Sequence, residues 1–137
     1  MLFRSYAARE AVGVQSPLET LQLGSGSCRD FAIFMMEAAR SLGLAARFVS
    51  GYLYDEKLIG AGGGLLGSGA THAWAQVFLP GAGWVEFDPT NALVGGRNLI
   101  RVAVARDASQ AAPLVGSYSG TPDDFTSMSV EVKVTAE

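Results

Sequence analysis

A single cysteine excludes an intramolecular disulfide, so packing alone must hold this fold, and the one thiol, Cys28, is free. There is also only one histidine, His72, and one cysteine with one histidine falls short of a usual four-ligand zinc site. No metal and no cofactor are expected. Charge is sparse: 17% of the 137 residues are charged, the net charge is −3, and no basic run or basic face occurs. Neither nucleic acid nor an anionic membrane is therefore an expected partner. Long apolar runs are missing too. No stretch approaches the roughly 18 consecutive apolar residues of a membrane helix. Met1-Leu2-Phe3-Arg4-Ser5-Tyr6 lacks the long apolar core of a signal peptide. A soluble chain is expected, with cytoplasm the default and the compartment otherwise open. What the chain has in quantity is apolar side chains, 49% of residues, enough for a core at this length. One domain over residues 1–137 is expected. Apolar residues from the second position onward suit a piece cut from a longer protein.

Periodicity and punctuation divide the chain. Ser16-Pro17-Leu18-Glu19 predicts a helix start, with Ser16 as cap, Pro17 at the first helical position and Glu19 closing a capping box. That helix ends near Leu23, broken by Gly24-Ser25-Gly26-Ser27. A second helix is predicted over 28–42, with Phe31, Ala32, Met35, Ala38, Ala39 and Leu42 forming an apolar stripe and Gly43 a left-handed cap. Residues 46–54 predict a strand in which Gly51 marks a bulge or a close backbone approach. The glycine-dense segment 60–69 lacks the Gly-Lys-Ser/Thr ending of a phosphate loop. It reads as a lid or as a plain insertion. Strands at His72–Leu79 and Gly83–Asp88 flank the turn Pro80-Gly81-Ala82. A connection of three or five residues sets Trp74 opposite Asp88 and puts His72 and Asp88 diagonally on one face; a two- or four-residue loop would separate them. Two more strands are predicted at 98–105 and 127–135, the latter from the alternation of Val130, Val132 and Val134.

The rare residues carry the chemistry. Cys28 opens the second helix, where the positive end of the macrodipole and unpaired N–H groups favour thiolate over thiol. A nucleophilic thiol needs a base, and the base a third group that orients it. His72 and Asp88 fit those roles. Asp88 precedes Pro89, which cannot donate to a ladder, so the strand should end there with the carboxylate at its rim. The Cys28 backbone N–H, at the helix start, fits one oxyanion donor. Each residue also has a packing reading: Cys28 as a small buried apolar group, His72 as a hydrogen-bonded structural residue, Asp88 as a turn residue.

The strings Gly26-Ser27-Cys28-Arg29-Asp30-Phe31-Ala32, Ala46-Arg47-Phe48-Val49-Ser50-Gly51-Tyr52, His72-Ala73-Trp74-Ala75 and Gly83-Trp84-Val85-Glu86-Phe87-Asp88-Pro89-Thr90-Asn91 resemble, in order and spacing, the transglutaminase-like superfamily in its microbial branch. The resemblance covers residues 16 to 107. It implies an α+β, papain-like fold, with the cysteine-bearing helix packed on an antiparallel sheet that carries histidine and aspartate. Carried over, Cys28 is the nucleophile, His72 the base and Asp88 its orienter. Arg29 stands where the animal transglutaminases have Trp, and their calcium sites and additional β domains have no counterpart, so calcium dependence is not implied. Microbial relatives often place a β-rich domain before this core. Gln22 stands six residues before Cys28, the separation at which papain-like proteases place an oxyanion glutamine. Tyr52, Trp74 and Trp84 line an acyl-binding groove or belong to the core.

The expected function is acyl transfer through a thioester on peptide or protein amides, with hydrolysis favoured over cross-linking because water is the default acceptor. The alternative is a peptide-binding or scaffolding module that keeps the fold without the chemistry.

Overall fold

The computed structural model describes residues 5–8, 13–54 and 70–134; the predicted loop at 60–69 lies outside the described residues. Helix α1, Pro17–Leu23, starts as its sequence directs: Glu19 N–H donates to Ser16 Oγ at 3.2 Å and Ser16 N–H to Glu19 Oε2 at 2.7 Å. Gly24, at φ 61°, closes it in the left-handed conformation that glycine adopts without cost. Strand β1, Ser5–Tyr6, then pairs in parallel with β2, Ser25–Gly26. Helix α2, Cys28–Ser41, follows a second capping box, Ser27 with Asp30. Gly43 follows it at φ 80°, as expected.

Five antiparallel strands form the main sheet in the order β6-β5-β4-β3-β7. They are β3 (Ala46–Leu53), β4 (His72–Leu79), β5 (Gly83–Asp88), β6 (Leu93–Val94) and β7 (Leu99–Ala105). Alternation places Ala46 and Phe48 of β3 with Ala73, Ala75 and Val77 of β4 on one face. There they form the core with Ala32, Met36 and Ala39 of α2, closed at one end by Ala108 and Ala111 of a short 3₁₀ turn. The buried stripe of α2 thus runs through Phe31, Ala32, Met36 and Ala39. Met35 flanks it, Ala38 is exposed, and Leu42, just past the helix, is 79% exposed, which corrects the predicted stripe. Steps of four and three from Ala32 stay on one helical face, whereas Ala38 and Leu42 swing off it.

Between Ser50 and Gly51 the β3–β7 register shifts, so the predicted irregularity is a β-bulge. A Cβ at Gly51 would run into the Ile100 carbonyl oxygen and the Trp74 ring, so only glycine fits. The hairpin β4–β5 turns through Pro80-Gly81-Ala82 with Ala75 opposite Phe87 and Leu79 opposite Gly83, the register that leads on to Trp74 opposite Asp88. The strand predicted at 127–135 does not form over residues 127–134; residue 135 is outside the described set. No sheet edge takes up this segment, and alternating valines make a strand only against a neighbour. Among the described residues no helix is long and apolar enough to cross a membrane.

Candidate active site

Cys28 is the first residue of α2 and half-buried, packed at the border of the core. The loop before it is fixed by Asp30, whose carboxylate is only 1% exposed. Asp30 Oδ2 accepts from Ser27 N–H at 2.9 Å and Ser27 Oγ–H at 2.8 Å, while Oδ1 accepts from Gln15 N–H at 2.7 Å. The sequence therefore encodes both the helix start and the anchor that holds the thiol at its mouth. At the first helical position, the Cys28 N–H is one of the donors that α-helical geometry leaves without an intrahelical acceptor.

His72 opens β4 and Asp88 ends β5, and the hairpin brings them together: His72 Nε2 lies 2.8 Å from Asp88 Oδ2, with both side chains fully buried. The Asp-Pro-Thr-Asn turn secures the carboxylate. Oδ1 accepts from Thr90 N–H at 3.0 Å and Asn91 N–H at 3.4 Å, and Oδ2 accepts from Asn91 Nδ2–H at 2.8 Å. An ionised Asp88 fixes the neutral imidazole as the Nε2–H tautomer. Nδ1 is then the basic nitrogen. It is buried and makes no hydrogen bond of standard geometry, but the Cys28 thiol is near enough to act on the ring. Burial pushes the imidazole pKa down; the hydrogen bond to Asp88, the neighbouring Cys28 thiol and the charges of both push it up, and the net is a rise from 6.5 to about 9. The pocket thus favours imidazolium beside the thiol.

With this geometry in view, the match of residues 3–89 to the transglutaminase-like superfamily is decisive. The chain belongs to that superfamily. Its relatives include an uncharacterized protein of Mycobacterium leprae, 38% identical over 120 residues that make up 88% of this chain and 41% of the relative. Another, from Mycobacterium tuberculosis, is 35% identical over 135 residues, 95% of this chain and 42% of the relative. The chain spans about two fifths of the length of these curated relatives. Among solved structures it is similar to one named as a "Putative Cysteine Protease" from Cytophaga hutchinsonii, with a TM-score of 0.62 and 29% identity over 78% of this chain and 33% of that one. The helix-on-antiparallel-sheet core is the α+β fold expected of the superfamily.

Other residues of this transglutaminase-like core sit differently from their sequence reading. Gln22 is exposed on α1 and, among the described residues, joins neither Cys28 nor His72 by a hydrogen bond. Thr20 is the buried residue of that helix, and a two-residue step turns Gln22 to the opposite side. Trp74 is fully buried, so it is not a groove wall; its ring stacks on His72 at 5.9 Å and 28°. Trp84 is 40% exposed and lies four residues from Asp88 along β5, roughly 13 Å at strand rise. There Arg47 covers it, 4.0 Å from the ring centre, and Phe78 meets it edge-on. Tyr52, by contrast, lines a cavity of about 110 Å³ together with Thr71, the neighbour of His72, and with Ser50, Gly51, Ala103 and Ala111.

Tyr6 escaped the sequence reading. Its pairing with Gly26 brings it to the Cys28 end of α2, where burial and then the Cys28 charge raise the phenol pKa. A two-residue parallel pairing leaves no periodicity to read. Among the described residues no group of three or more His, Cys, Asp or Glu side chains is arranged to hold a metal ion.

Proposed function

We propose that this chain carries out cysteine-dependent acyl transfer on peptide or protein amides, with Cys28 as nucleophile, His72 as acid and base, and Asp88 as orienter. The observation that carries this reading is the buried 2.8 Å contact between His72 Nε2 and Asp88, which commits one ring nitrogen to the carboxylate and leaves Nδ1 for the thiol. Cys28 Sγ attacks the amide carbonyl carbon, and the carbonyl electron pair moves to oxygen. The Cys28 N–H is the candidate oxyanion donor, and the Tyr6 phenol, held protonated beside a thiolate, is the candidate for a second. As the C–N bond breaks, the departing amine takes the proton on His72 Nδ1, leaving a thioester. Water or an amine then gives a proton to His72 as it attacks the thioester, and Cys28 is released. Hydrolysis is the favoured outcome: water is always available, and the similar solved structure is named as a cysteine protease.

Incubation with a peptide library and added amines, read by mass spectrometry, tests the proposal. Cleaved or deamidated peptides that vanish with Cys28→Ala are expected, with amine adducts the minor product. Products that persist in Cys28→Ala, or none with the wild type, would contradict it.

A further inference from the structure

Next to the His72–Asp88 pair along β5 lies a buried carboxylate that the chemistry above does not use. Glu86 is 9% exposed, on β5, two residues before Asp88 and therefore on the same face. Three donors converge on it, two from the neighbouring strand β4 and one from the edge strand β7. Trp74 Nε1–H donates to Oε2 at 2.5 Å, Gln76 Nε2–H donates to Oε1 at 2.6 Å, and Arg101 Nε lies 3.4 Å from Oε1. Gln76 is held in turn by Arg47, whose Nε–H donates to Gln76 Oε1 at 2.6 Å. A carboxylate in a core would be costly if its oxygens were unpaired; here both are satisfied. The first of these donors is the residue whose indole stacks on the His72 ring.

We propose that Glu86 and Trp74 are positioning residues for His72: the carboxylate clamps the indole so that its face lies against the imidazole and favours the charged imidazolium. Two effects act in the same direction. An aromatic face carries negative potential and attracts a cation stacked on it, and hydrogen bonding of the indole N–H to an anion pushes further electron density onto that face. The Glu86 charge adds a direct attraction across a low-dielectric interior. The groups around the ring are Asp88 from β5 at Nε2, Cys28 from α2 on the Nδ1 side, Tyr6 from β1 beyond the thiol, and Trp74 on β4 itself. Glu86 from β5, Arg101 from β7 and Arg47 from β3 lie behind the indole. Arg101 opposes the Glu86 charge but is about half exposed, so solvent screens it more strongly than the buried carboxylate. The purpose of the clamp rests on the acyl-transfer reading, in which imidazolium accompanies the thiolate; its geometry does not.

Because His72 is the only histidine, its ring resonances can be titrated by NMR without ambiguity. In the 137-residue chain as wild type, Glu86→Gln, Trp74→Phe and Arg101→Gln, the midpoint should fall in the first two variants, by roughly half to one pH unit for Glu86→Gln. It should rise by a smaller amount in Arg101→Gln. A purely structural role for Glu86 would lower thermal stability and leave these midpoints in place. Trp74→Phe and Arg101→Gln both titrating at the wild-type midpoint would overturn the proposal, and these two decide it even if Glu86→Gln does not fold. Alkylation of wild-type Cys28 separates the two ideas: a thiol of ordinary reactivity defeats the acyl-transfer reading, while the midpoints still report on the clamp.

Discussion

His72 Nε2 and Asp88 Oδ2 lie 2.8 Å apart with neither side chain open to solvent, although sixteen residues separate them in the chain. The contact exists because a three-residue turn sets the register of β4 and β5 and because Pro89 ends β5 at Asp88. Asp88→Asn keeps the shape and removes the charge. The imidazolium loses its partner, so the His72 midpoint should drop by more than one pH unit, and acyl-transfer kcat should fall by about two to four powers of ten. NMR titration and turnover of a peptide identified in the library assay read the two effects.

The raised His72 pKa also makes stability depend on pH. The folded state holds the proton more tightly than the unfolded chain, so this contribution is complete below pH 6.5 and is lost as pH rises through about 9. The melting temperature should therefore decline between those values. His72→Gln should flatten that decline, and a wild-type curve no steeper than the variant's would contradict the linkage.

Asp30→Ala removes three hydrogen bonds at the start of α2. Loss of the cap, together with unpaired donors at Ser27 and Gln15, should cost about 2 to 4 kcal/mol by denaturant unfolding. In molecules that remain folded, Cys28 should also react more slowly with iodoacetamide, since the loop that presents it is no longer fixed.

Gly51→Ala tests the bulge. The added methyl group meets a backbone carbonyl and a buried indole, neither of which can move aside without disrupting β7 or the ring against His72. A loss of at least about 2 kcal/mol, or failure to fold, is expected. Wild-type melting behaviour would show that the sheet relaxes there.

The parts of this site that were legible in the sequence are those governed by local rules. The capping box at Ser16 and the Gly24-Ser25-Gly26-Ser27 break mark the helix starts, the Pro80-Gly81-Ala82 turn sets the hairpin register, and Pro89 stops the strand beside Asp88. Features that depend on distant neighbours were not legible. Tyr6 arrives through a two-residue pairing with Gly26. Gln76 and Glu86 alternate like solvent-facing strand residues, yet both are buried because each satisfies the other. Val130, Val132 and Val134 alternate like a strand but pair with none of the described strands. Trp74, an aromatic in an alternating strand, reads as core more readily than as groove, and it is core; its hydrogen bond to Glu86 and its stacking on His72 depend on partners that the local sequence does not name.

If His72 activates Cys28, the alkylation rate of the sole thiol by iodoacetamide across pH reports it. Wild type should react well below pH 7, where an ordinary thiol with a pKa near 8.5 is almost unreactive, and His72→Ala should lose this low-pH reactivity. A wild-type rate that follows an ordinary thiol and is unchanged in His72→Ala would contradict it.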